Sequence, residues 1–80
     1  MLKKQWVVYI LKCVDETLYT GITNDLEKRI AVHGSGKGAK YTRGRLPVEL
    51  LKFFEVENRS AASKLEIKIK KMSRKEKLAL

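Results

Sequence analysis

The chain is 80 residues long, room for one modest hydrophobic core, so one domain over residues 1–80 is expected. Its composition, 44% apolar and 34% charged, is that of a folded domain, and no window offers the ~18 apolar residues of a membrane span. Met1-Leu2-Lys3-Lys4 leads into no signal-peptide core, so a soluble, cytoplasmic chain without a membrane partner is expected. The net charge of +9 and pI of 9.9 point to a polyanionic partner, nucleic acid first.

Residues 6–13, WVVYILKC, are nearly all apolar and rich in aromatic and β-branched types, which reads as a strand buried on both faces and therefore central. Cys13, the single cysteine, cannot form an internal disulfide and suits a reducing compartment. After a polar interruption, strand character resumes at residues 18–22. A three-residue loop over residues 15–17 would pair Cys13 with Tyr19 and set Tyr9 and Tyr19 on one face. A two-residue loop would set them on opposite faces, because strand side chains alternate. Asn24 and Glu27 have the spacing of a capping box, and Asp25 suits the positive end of a helix dipole. In that helix Leu26 and Ile30 face inward, Arg29 and His33 stack beside them four residues apart, and Gly34 is the stop.

Residues 34–47, GSGKGAKYTRGRLP, read as a flexible basic loop with four glycines and four cations. Gly36-Lys37 lacks the partner residues of a Walker A motif, since Ala31 and Gly38 stand where glycine and Ser/Thr are needed. The loop's exposed N–H groups suit phosphates, which makes Lys37, Lys40, Tyr41, Arg43 and Arg45 candidate substrate contacts. Pro47 opens a third strand at residues 48–56. Asn58 or Ser60 caps a helix reaching about Met72, and Ser73 with Glu76 forms a capping box for a last short helix that packs Leu78 and Leu80. The fold class is α+β, a three-stranded sheet flanked by helices in the order β-β-α-β-α-α.

Glu66 is the one acid among Lys64, Lys68, Lys70 and Lys71. With Ala62 at zero on a helical wheel it lies at about 40°, inside the edge of the core stripe formed by Ala62, Leu65, Ile69 and Met72. A carboxylate aimed that way is costly unless it is ion-paired or bound to a metal. A lone carboxylate can hold Mg²⁺ only if water and substrate phosphate complete the oxygen shell. Tyr9 and Tyr19 also suit plain strand packing, and Arg29 and His33 plain structural pairing. As a set, Tyr9, Tyr19, Gly21, Arg29, His33 and Glu66 have no competing Ser-His-Asp, Cys-His or Cys/His metal cluster.

Val7-Val8-Tyr9, then Tyr19-Thr20-Gly21, then Arg29, His33 and a glutamate on a later helix together resemble the GIY-YIG nuclease superfamily. The likeness covers essentially the whole chain. It is strongest to small stand-alone bacterial members, through the GKGAKYTRGRLPVEL segment and the closing SRKEKLAL segment. It implies a three-stranded sheet flanked by helices and hydrolysis of phosphodiesters with one divalent metal ion, Mg²⁺ or Mn²⁺. By position, Tyr9 and Tyr19 match the two motif tyrosines and Gly21 the second motif's glycine. Arg29 matches the family arginine, His33 the histidine one turn on, and Glu66 the metal ligand. The chain departs from the pattern in Val7 for glycine, Thr20 at the middle of the second motif, and no asparagine in residues 67–80.

On this resemblance Tyr9 is the general base, assisted by Tyr19, and Arg29 clamps the phosphate. His33 either orients Tyr9 or protonates the leaving group, and Gly21 leaves room for the substrate backbone. A free phenol has a pKa of about 10, so cationic neighbours or the metal would have to favour the phenolate. The expected function is a structure-selective or weakly specific DNA endonuclease, a monomer serving repair or recombination. The alternative is a non-catalytic nucleic-acid-binding module on the same fold, with Glu66 an ordinary ion-pair partner.

Overall fold

The unbroken apolar run becomes strand β1, Trp6–Cys13, in the computed structural model, which describes residues 5–80 apart from the side chains of Lys40 and Tyr41. β1 lies between β2, Leu18–Thr23, and β3, Val48–Val56, in an antiparallel sheet of order β2-β1-β3. Val7, Val8, Tyr9, Ile10, Leu11 and Cys13 are all buried, as a central strand covered on both faces requires. On one face Val8 and Ile10 pack with Ala62 and Ile69 of helix α3, Arg59–Lys70. Each fully buried aliphatic side chain there stabilises the fold by about 1.5–3 kcal/mol. The other face carries Tyr9 and is covered by helix α1, Leu26–Gly34.

The hairpin register decides which residues reach that second face. Lys12 pairs with Leu18, Leu11 with Tyr19 and Tyr9 with Gly21, while Cys13 N donates to Thr17 O at 2.9 Å. The loop is therefore residues 14–16, with Glu16 at φ 69°, one position earlier than the sequence suggested. Tyr19 faces Leu11 instead of Cys13. The shift of two positions preserves the alternation, so Tyr9 and Tyr19 share a face.

The N-cap of α1 is Asp25, not Asn24: its carboxylate accepts from Lys28 N at 3.3 Å, and Asp25 N donates to Thr23 Oγ1 at 3.0 Å. Gly34 is the last residue of the helix, and the left-handed turn comes at Gly36, φ 81°. The segment that read as flexible contains a further helical turn, α2, Lys40–Arg43. It is tied down at both ends: Arg43 Nε donates to Gly38 O at 3.3 Å, and Val14 N donates to Arg45 O at 3.0 Å.

Asn58 caps α3 by accepting from Ala61 N at 2.9 Å, so the cap is Asn58 and not Ser60. Helix α4, Arg74–Leu78, starts on the expected Ser73–Glu76 capping box, with both bonds made. Its docking is polar, through Lys52 Nζ to Leu78 O at 3.1 Å and Arg74 Nε to Glu16 O at 3.1 Å. Leu78 and Leu80, expected to pack, are 40% and 41% exposed because α4 is too short to carry an apolar face onto the sheet.

Candidate active site

Tyr9 sits directly across from Gly21, and its ring lies over the glycine. A Cβ at Gly21 would come within 2.5 Å of the Tyr9 oxygen and 2.6 Å of Cζ, and within 3.1 Å of the Tyr19 ring. The gap at Gly21 is thus filled by the phenol instead of being left open for substrate backbone.

Past the glycine, the Tyr9 hydroxyl meets His33 Nε2 at 2.9 Å. The rings of Tyr9, Tyr19 and His33 are mutual neighbours, with centroids 5.2 to 6.3 Å apart. Arg29, one helical turn before His33, bears on the Tyr9 phenol and pulls its pKa down, but burial outweighs this and holds the phenol above its ordinary value. The charges of Tyr19 and Glu66 act in the same direction as burial. His33 is pushed below its ordinary value, first by burial and then by Arg29. Near neutrality, then, the pair is a neutral phenol against a neutral imidazole. No phenolate is prepared in advance.

Behind the imidazole lies a residue that the sequence reading passed over. Thr42 of α2 is buried, and its Oγ1 stands 2.9 Å from His33 Nδ1 and 2.9 Å from Ala39 O. The loop comes this close because residue 38 is glycine: a Cβ there would fall 2.8 Å from His33 Cα. Neither residue carries a sequence signal of its own, because both act through a loop contact that periodicity does not show.

Glu66 lies on α3, and its charge acts weakly on Tyr9, the last of the influences on that phenol. Its carboxylate, 21% exposed, pairs with Lys70 one turn on at 3.4 Å. Among the described residues no three His, Cys, Asp or Glu side chains cluster as a metal site, and Glu66 is the carboxylate that would serve as a ligand. That donor set fits Mg²⁺, a hard cation that keeps several waters and takes the rest of its shell from substrate phosphate.

Lys37 and Arg43 are exposed on the loop, as the sequence suggested. Arg45, expected to contact substrate, instead pairs with Asp15 at 3.0 Å and fastens the loop to the hairpin. The side chains of Lys40 and Tyr41, the other loop candidates, lie outside the described residues. On the outer side Arg29 and Arg59 line a hollow of about 210 Å³ with Trp6, Ile22, Thr23 and Asn24, and no carboxylate lines it.

Residues 5–79 match the GIY-YIG catalytic domain. The chain belongs to the GIY-YIG family. It is 60% identical over 73 residues to the UPF0213 protein CPE1444 of Clostridium perfringens, covering 91% of this chain and 78% of that one. It is 54% identical over 70 residues to the UPF0213 protein NP_0776A of Natronomonas pharaonis, covering 88% and 82%. Among solved structures, the solution NMR structure of EF2693 from E. faecalis superposes with a TM-score of 0.66 at 42% identity, over 96% of this chain and 82% of that one. That of the UPF0213 protein BH0048 from Bacillus halodurans gives 0.57 at 45% identity, over 91% and 78%. Membership of a GIY-YIG nuclease family carries a nuclease-like role and a nucleic-acid substrate class, and GIY-YIG nuclease domains are generally metal-dependent.

Proposed function

We propose that this chain is a metal-dependent DNA endonuclease of low sequence specificity, selective for branched or nicked structures and used in repair or recombination. The observation that carries the reading is the Tyr9–His33 hydrogen bond of 2.9 Å, with the Arg29 charge bearing on the same phenol. It sets a proton acceptor against a phenol within the influence of a guanidinium suited to phosphate. With 18 Lys and Arg against 9 acids, the chain attracts a nucleic-acid backbone from a distance.

In the step we envisage, the water oxygen forms a new bond to phosphorus and its proton passes to the Tyr9 oxygen, while the Tyr9 proton passes to His33 Nε2. The bond from phosphorus to the leaving oxygen breaks, and that oxygen takes a proton from solvent. This assigns His33 to Tyr9 instead of to the leaving group, because the Tyr9 oxygen is the partner that its Nε2 meets. It also removes the need for a phenolate at neutral pH. Arg29 steadies the charge developing on the phosphate. A divalent ion held by Glu66 would supply Lewis-acid charge neutralisation when bound.

The test is cleavage of nicked, branched, duplex and single-stranded DNA by the purified protein, with Mg²⁺, Mn²⁺ or chelator. Arg29→Ala and Glu66→Ala are expected to abolish cutting while retaining the fold by circular dichroism. Undiminished cutting by Glu66→Ala sinks the metal-ligand assignment. The Glu66–Lys70 pair is the observation that favours a non-catalytic nucleic-acid-binding module. Tight, metal-independent binding without cleavage would establish that second reading.

A further inference from the structure

A neutral imidazole carries its single N–H on one of two nitrogens, and only one choice leaves His33 Nε2 able to take a proton. The atoms behind the ring decide which. Thr42 Oγ1 is 2.9 Å from Ala39 O and 2.9 Å from His33 Nδ1, and the hydroxyl has one hydrogen. A carbonyl has no hydrogen to give. Two oxygens at 2.9 Å without a hydrogen between them would set lone pair against lone pair, so the hydroxyl donates to Ala39 O. Its lone pair then faces Nδ1, which must be the nitrogen that carries hydrogen. Nε2 presents its own lone pair to the Tyr9 hydroxyl at 2.9 Å.

The opposite tautomer fails at the Thr42 end and gains nothing at the other. Thr42 would have to turn its hydrogen to Nδ1, opposing the two oxygens, and an Nε2–H would face a phenol that must then find another acceptor for its own hydrogen. With His33 and Thr42 fully buried, water is a poor substitute at Nδ1.

We infer that Thr42 is a positioning residue that holds His33 in the Nδ1–H tautomer and so keeps Nε2 free for the proton of Tyr9. The link to proton transfer rests on the nuclease reading; the tautomer assignment does not. Burial and the Arg29 charge support it by keeping the ring neutral, and the other ionisable groups bearing on the pair are Tyr19 and Glu66. Gly38 is part of the same device, since any side chain there would displace the loop that delivers Thr42.

His33 is the only histidine in the chain, so long-range proton–nitrogen NMR reads its two ring nitrogens without overlap. Near neutral pH the wild type is expected to show a protonated-type Nδ1 and an unprotonated-type Nε2. Thr42→Ser should keep that pattern, and Thr42→Val, which keeps the shape and removes the hydroxyl, should lose it. In the cleavage assay Thr42→Val should lower kcat by about 100-fold, the low end of what a positioned proton acceptor contributes, with KM essentially unchanged and most of the rate restored in Thr42→Ser. An Nε2–H ring in the wild type overturns the assignment, as does an unaltered ring in Thr42→Val. If Thr42→Val does not fold, the wild-type spectrum still decides. A wild type that shows the expected ring and cuts no DNA overturns the nuclease reading and leaves the tautomer assignment standing.

Discussion

Thr20 and His33 are both buried polar residues, and they predict opposite behaviour. Thr20 lies on the α3 side of β2, where its hydroxyl meets no hydrogen-bond partner among the described residues. A buried polar atom left without a partner costs about 1–3 kcal/mol. Thr20→Val, of nearly the same shape, is therefore expected to raise stability by about 1 kcal/mol in urea denaturation. His33 has partners on both nitrogens, and its pKa lies below the ordinary value near 6.5. As pH falls below about 6.5 the unfolded chain takes up a proton that the folded chain resists. Stability present above that pH should be lost as pH falls through the folded-state pKa, and His33→Gln should remove this part of the slope in pH-dependent melts. The shared face of Tyr9 and Tyr19 and the one-turn spacing of Arg29 and His33 were legible from strand and helix periods, whereas Glu66 was singled out by its place on the helical wheel and by the family resemblance. Thr42 was not, because it reaches His33 through a loop whose path no period describes.

At the scale of elements, the strands were legible to the residue for β1 and β3, where apolar runs are bounded by polar or proline punctuation. The cap of α1 was misplaced by one position because Asn24 and Asp25 can both cap. The capping-box spacing favours Asn24, while Thr23 holds Asp25 in the turn that wins. Helix α2 was illegible for a different reason. Four residues, KYTR, have no apolar stripe and too little length to be stable alone, so the turn exists through its tertiary contacts. Helix α3 is the opposite case, long enough to place Ala62 and Ile69 in the core and to carry Glu66 on the same rod. Asn58→Ala is expected to cost about 1 kcal/mol of global stability, measured by denaturant unfolding, because losing the cap loosens a helix that the core depends on.

For the whole molecule, the charge works at a distance and the loop cations at contact. If the basic loop holds the phosphodiester backbone, Lys37→Ala and Arg43→Ala should each weaken DNA binding across sequences and reduce the slope of log affinity against log salt by about 1. Arg45→Ala should change that slope less, since its guanidinium is already engaged with Asp15. Fluorescence anisotropy across a salt series separates the two outcomes. That pairing also joins parts of the molecule that lie far apart in sequence. Val14 N donates to Arg45 O, Arg45 N to Thr42 O, and the Thr42 hydroxyl holds the imidazole. The hairpin tip, the loop and the proton acceptor therefore belong to one cooperative opening unit. In native-state hydrogen exchange the amides of Val14, Thr42 and Arg45 should open together, at a single free energy. A lesion at the hairpin tip would then be felt as a loss of order at His33.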